Sequence, residues 1–145
     1  MNEKASSIKE TFELAVQNQK KGNHEVAKDL YDKILKENPI HASAHCNLGV
    51  IFKELGEREK AKSCFEKAIE IQSDHAHAHN NLGKVFEELE QIEVVQRGRF
   101  LLKAKSCYEK AIEIDPNHAD AHNNLGLIFK NLGEHKKAIS CYKKA

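Results

Sequence analysis

The stretch "ASAHCNLGVIFKELGE", residues 42–57, decides the fold, because the chain returns to it twice. It reappears as "AHAHNNLGKVFEELEQ" at 76–91 and as "ADAHNNLGLIFKNLGE" at 119–134. A second shared stretch follows each copy: "AKSCFEKAIEI" from Ala61, "AKSCYEKAIEI" from Ala104 and "AISCYKKA" from Ala138. The unit from Ala42 to His75 is 34 residues long. A fainter copy begins at Ile8, with Leu14, Ala15, Gly22, Ala27, Tyr31 and Pro39 in matching columns. A fixed period of this length marks a stacked-repeat protein, so it outranks any local motif.

The periodicity within a unit is helical. Leu48, Ile51, Phe52 and Leu55 recur at spacings of three and four, and Ala61, Phe65, Ala68 and Ile69 do the same. Gly56 separates the two runs at a turn, and Pro39 and Pro116 stand just past second helices, where proline costs little. The spacing of Ser7 and Glu10 predicts a capping box and a first helix starting there. Small residues recur where paired helices approach: Gly49, Gly83 and Gly126 on the first helix, then Ala27, Ala61, Ala104 and Ala138 on the second.

These columns resemble the tetratricopeptide repeat (TPR) family. The resemblance rests on Leu48-Gly49, Leu82-Gly83 and Leu125-Gly126, on Phe52, Phe86 and Phe129, and on the alanines above. It also rests on the aromatics Tyr31, Phe65, Tyr108 and Tyr142 and on the two prolines. It implies an all-α, right-handed α-solenoid of four helix-turn-helix repeats, one domain over 1–145 with units at about 8–41, 42–75, 76–118 and 119–145. The family's tryptophan column holds His45, His79 and His122 here, and the last unit is incomplete. Solenoids usually carry a polar cap at each end, so the chain reads either as a piece of a longer protein or as one whose end stacks on another copy.

The resemblance also implies a groove lined by first helices. The column before Leu-Gly holds Asn47, Asn81 and Asn124, with Asn80, Asn123 and Lys84 nearby. Asparagine donates and accepts, so a row of them suits the backbone of an extended peptide. This is similar to the asparagine ladder in the superhelical TPR region of O-GlcNAc transferase-type proteins. The competing reading is that these amides only tie neighbouring helices together. Some TPR members clamp a C-terminal carboxylate with lysine and arginine. The corresponding columns here are Phe12, Val16, Asn47, His77 and Asn81, or Cys46, Val50, Asn81, Asp120 and Asn124, and neither set has a cation. The expected partner is therefore a protein or peptide that is not held by its carboxyl terminus.

Composition points the same way. The formal net charge is +1, with no basic cluster to hold nucleic acid or a membrane surface. Neither a signal peptide nor a membrane-spanning run is present, and the four cysteines lack C-x-x-C spacing, as expected of reduced thiols in the cytoplasm. Nine histidines include the pairs His41/His45, His75/His79 and His118/His122. Pairs four apart can ligate metal on a helix, but these straddle helix starts, and successive pairs lie roughly 20 Å apart if each helix step is 8–10 Å. Repeat copying accounts for them without a metal or other cofactor. No nucleotide loop, nucleophile elbow or H-E-x-x-H occurs, so the chain is expected to be non-catalytic.

One segment breaks the pattern. The third unit is 43 residues long, and the extra nine fall between its helices, where Glu90 replaces the turn glycine. Three readings stand: a local hairpin turning near 94–96; helices fused through Gly98, giving a domain-swapped dimer; or a loop. Val94, Val95, Phe100, Leu101 and Leu102 are too apolar for a solvated loop and are expected to bury against a partner or a second copy. Self-assembly through this insertion, or through the last unit, is thus the alternative to peptide binding.

Overall fold

A computed structural model describes residues 2–92 and 98–145. Among them are eight α-helices and no strand. The contacts divide the chain into two compact units, Met1–Ser73 and Asp74–Ala145. Each unit holds two of the repeats.

The first unit holds α1 (Asn2–Lys20), α2 (His24–Glu37), α3 (Ala42–Glu54) and α4 (Arg58–Ile71). Helix α1 begins ahead of the expected capping box. Ser7 is inside it, and its carbonyl accepts from Thr11 Oγ1 at 2.7 Å. Both hairpin turns of this unit are built on a left-handed glycine, Gly22 and Gly56. At the end of α3, Gly56 has φ 77°, its N–H reaches the Lys53 carbonyl at 3.0 Å, and Glu57 N–H reaches that of Phe52 at 2.8 Å. This Schellman pair satisfies carbonyls that the helix end leaves open, and it needs a left-handed residue. The core is formed by Ala15, Ala27, Tyr31, Ile34, Leu48 and Ile51, whereas Leu14, in the column of Leu48, and Leu55, at the end of the periodic run, stay exposed.

The second unit holds α5 (Ala76–Ile92), α6 (Arg99–Ile114), α7 (Ala119–Asn131) and α8 (His135–Lys144). Helix α5 has 17 residues where α3 and α7 have 13, because nothing at Glu90 stops it. Helix α6 packs along α5. Gly98 has φ 91° and precedes α6 as its N-cap, with Leu102 N–H reaching its carbonyl at 3.1 Å. A left-handed Gly98 cannot sit inside a continuous right-handed helix. The fused-helix reading, and the domain swap built on it, therefore do not describe this structure. Val94 and Val95 lie outside the described residues.

Helices within a hairpin approach closely because of the Leu-Gly column. A Cβ at Gly49 would stand 2.8 Å from Phe65 Cε1, and one at Gly83 would stand 2.5 Å from Tyr108 Cε1. Both rings are fully buried, so the hydrogen at these positions is what admits them.

Candidate functional site

The asparagine column is half-buried throughout, and each member donates through Nδ2 to a different acceptor. In the first unit Asn47 donates to Tyr31 Oη at 3.0 Å, and Tyr31 in turn donates to Gln19 Oε1 at 2.8 Å. This relay joins α3 to α2 and α2 to α1. In the second unit Asn81 donates to the His77 carbonyl one turn back, at 3.0 Å. Asn124 donates to Asn80 Oδ1 at 3.1 Å, tying α7 to α5.

Asn80 departs from the expectation. It is 3% exposed and serves as the acceptor in that tie, so it is not presented to a ligand. Its column holds Cys46 in the second repeat, also buried, and Asn123 in the fourth, which is exposed. Lys84 is half-buried on α5. Nearby, Tyr108 Oη–H donates to Glu87 Oε1. Burial pushes the Glu87 carboxyl above the ordinary carboxylate range, although the tyrosine bond works the other way.

The insertion residues are distributed differently from the expectation. Phe100 stacks on Phe86 of the same chain, with ring centres 6.2 Å apart, and Lys103 Nζ lies 5.3 Å from the Phe86 ring centre. Leu101 is half-buried, whereas Leu102 remains 62% exposed. Part of the apolar character is thus absorbed within the hairpin. A second apolar exposure lies on α7, its C-cap and α8, where Leu127, Leu132, Ile139 and Tyr142 are accessible.

The histidine pairs begin first helices. His41 Nδ1 accepts the Ala44 N–H at 3.2 Å, His75 Nδ1 that of Ala78 at 3.3 Å, and His118 Nδ1 that of Ala121 at 3.3 Å. The second member of the pair braces the preceding loop: His45 Nε2 lies 2.9 Å from the Pro39 carbonyl and His122 Nε2 lies 2.8 Å from that of Pro116. Among the described residues no three His, Cys, Asp or Glu side chains gather as metal ligands. Burial pushes the Cys46 thiol up to about 12 and the Cys64 thiol to about 11, far from the range of a reactive thiolate. No described helix is long and apolar enough to cross a membrane.

The sequence reading missed the capping role of His41, His75 and His118. Their position, one residue ahead of each Ala-x-Ala helix start, is the signal for it.

Family models of the tetratricopeptide repeat match residues 42–75 and 107–140. No curated protein matches. Among solved structures, the chain is similar to a thermophilic TPR protein of Thermus thermophilus, with 25% identity and a TM-score of 0.83 over 94% of this chain and 72% of that one. It is similar to the first TPR of Spaghetti (RPAP3) bound to an HSP90 peptide, SRMEEVD, with 23% identity and a TM-score of 0.75 over 87% and 93%. It is also similar to an O-GlcNAc transferase of Thermobaculum terrenum, with 22% identity and a TM-score of 0.76 over 86% of this chain and 22% of that one.

Proposed function

Because the chain is a tetratricopeptide-repeat protein of the all-α solenoid class, we propose that it is a non-catalytic scaffold holding an extended peptide along its first helices. The observation that carries this reading is the half-buried asparagine at one column of three repeats, Asn47, Asn81 and Asn124. Each uses Nδ2 within the protein, and its Oδ1 is then the group that a peptide N–H would meet. Asn123 and Lys84 flank the column. The peptide complex of Spaghetti supports a peptide as the ligand class. The columns that would clamp a carboxyl terminus hold Phe12, Val16 and His77, or Cys46, Val50 and Asp120, so recognition rests on the peptide's backbone and interior.

The test is binding to an immobilised peptide array by this chain and by Asn81→Ala. Asn81 is the clean probe, because its own bond is local. Removing Asn124 would instead strip the buried Asn80 of its partner, at about 1–3 kcal/mol. Peptide capture should fall several-fold with the melting temperature unchanged. Equal capture by both proteins refutes the groove.

A second reading is self-assembly, which Leu102 and the accessible Leu127, Leu132, Ile139 and Tyr142 favour.

A further inference from the structure

The second unit concentrates imidazoles where two helices begin. His75 precedes α5, whose first turn carries His77 and His79, and His118 precedes α7, whose first turn carries His122. The His77 and His118 rings meet edge to face with centres 4.9 Å apart.

Hydrogen-bond chemistry fixes the protonation state these contacts need. Nδ1 of His75 and of His118 accepts a backbone N–H, which requires a lone pair there, so each ring is neutral with its proton on Nε2. His118 is buried, and its Nε2 has no partner among the described residues. A second proton would go to Nδ1, replacing an accepted hydrogen bond with two N–H groups facing each other. The new charge would lie at the positive end of a helix, beside other imidazoles.

We propose that this cluster is an acid switch: neutral His75 and His118 cap α5 and α7, and their protonation uncaps both helices and destabilises the second unit.

The surrounding charges set the balance. His118 faces His77 from α5, with Asp115 and Asp120 from its own loop and helix; His75 faces Asp74, His77 and His79. Burial acts first in holding both imidazoles below their ordinary value, His77 adds to it, and the aspartates oppose it. The first unit repeats the cap only once, at His41, stacked on Phe12 with Lys9 lining the same cavity. Burial holds the His41 imidazole below its ordinary value too, but among the described residues no imidazole of another helix meets its ring as His77 meets His118, so the acid loss centres on the second unit. The inference stands apart from the peptide reading.

With folded pKa values below the unfolded value of about 6.5, the unfolded chain binds more protons in that window. Stability is therefore full above about pH 6.5 and declines as pH falls, levelling off below the folded pKa. Each histidine raises the unfolding constant by up to about tenfold per pH unit across the window.

The experiment is urea unfolding of the whole chain from pH 7.5 to 5, beside His75→Asn/His118→Asn, in which asparagine caps without titrating. The expected result is similar midpoints at pH 7.5 and a marked acid loss in the wild type that the double variant largely escapes. An equal acid loss in both, or none in the wild type, overturns the proposal. If the variant does not fold, an NMR titration of the wild type decides. His118 titrating below about 6.5, with the Ala121 amide following at the same midpoint, supports the switch; His118 titrating at or above that value overturns it.

Discussion

Gly83 and Gly126 make a matched pair of sites for substitution by alanine. They share a column, lie in the same unit and face a tyrosine of the paired helix. A Cβ at Gly83 would stand 2.5 Å from Tyr108 Cε1 and 2.9 Å from Cδ1; one at Gly126 would stand 2.6 Å from Tyr142 Cε1 and 2.9 Å from Cδ1. Ordinary carbon contacts lie near 3.5–4.0 Å, so ring or helix must yield by about 1 Å in either case. The surroundings differ. Tyr108 is 0% exposed and held by its hydroxyl to Glu87, whereas Tyr142 is 37% exposed and has room to swing outward. Overpacking of a closed site costs about 1–3 kcal/mol, and replacing glycine within a helix returns about 1 kcal/mol. With a 2.5 Å contact on a fully buried ring, the cost at Gly83 falls in the upper part of that range, about 2–3 kcal/mol, so Gly83→Ala should lose about 1–2 kcal/mol net. Gly126→Ala should be within ~0.5 kcal/mol of wild type or slightly more stable. Urea unfolding followed by circular dichroism reads both from midpoint and slope. Equal losses in the two variants, or no loss at Gly83, would show that ring confinement is not what the glycine column serves.

Two further outcomes follow from the second unit. Because the folded-state pKa of Glu87 is raised, the folded chain binds more protons there just above about pH 4.5, and this one group makes stability fall as pH rises through its folded pKa. Glu87→Gln should delete that component and steepen the acid loss contributed by the histidine caps; an unchanged pH profile from 4.5 to 7.5 would contradict it. For self-assembly, light scattering behind size exclusion over a range of concentrations should show a dimer that Leu102→Glu or Ile139→Glu reduces to monomer, and a monomer throughout would end that reading.

The hairpins and their core were legible because packing repeats with the sequence: the Leu-Gly column, the alanines facing it and the turn glycines each impose one geometry wherever they recur. The asparagine columns were less legible, since a column names a position and not its surroundings. Cys46, Asn80 and Asn123 share one column, yet the first two are buried and the third is exposed. The histidine caps escaped for another reason. Two histidines four apart on one helical face and an N-cap histidine followed by a first-turn one have the same spacing, and only the Nδ1 contacts separate ligand geometry from capping. At the insertion, loss of the turn glycine gave the direction of the change, a longer first helix, but not that Phe100 would find Phe86 in its own hairpin.

The aromatic column shows how near-identical repeats acquire different polar interiors. Tyr31 donates to Gln19 and Tyr108 to Glu87, and these acceptors occupy the same position of their first helices. Where the ring is Phe65, which has no hydroxyl, that position is Lys53; where it is Tyr142, the position is Lys130. A fully buried hydroxyl needs an acceptor, at a cost of about 1–3 kcal/mol if it has none, so the carboxamide or carboxylate accompanies the buried tyrosines. The asparagine column then divides according to what the neighbouring repeat offers. Asn47 faces a preceding repeat with Phe12 in the adjoining column, which accepts nothing, and it turns to the Tyr31 hydroxyl. Asn124 follows a repeat carrying Asn80 at that position and bonds to its amide oxygen. Three copies of one residue thus serve as a helix tie through a ring, a local back-bond and an amide bridge. Of these, only the local back-bond of Asn81 is made without a second side chain, which makes Asn81 the member whose loss a bound peptide should register most directly.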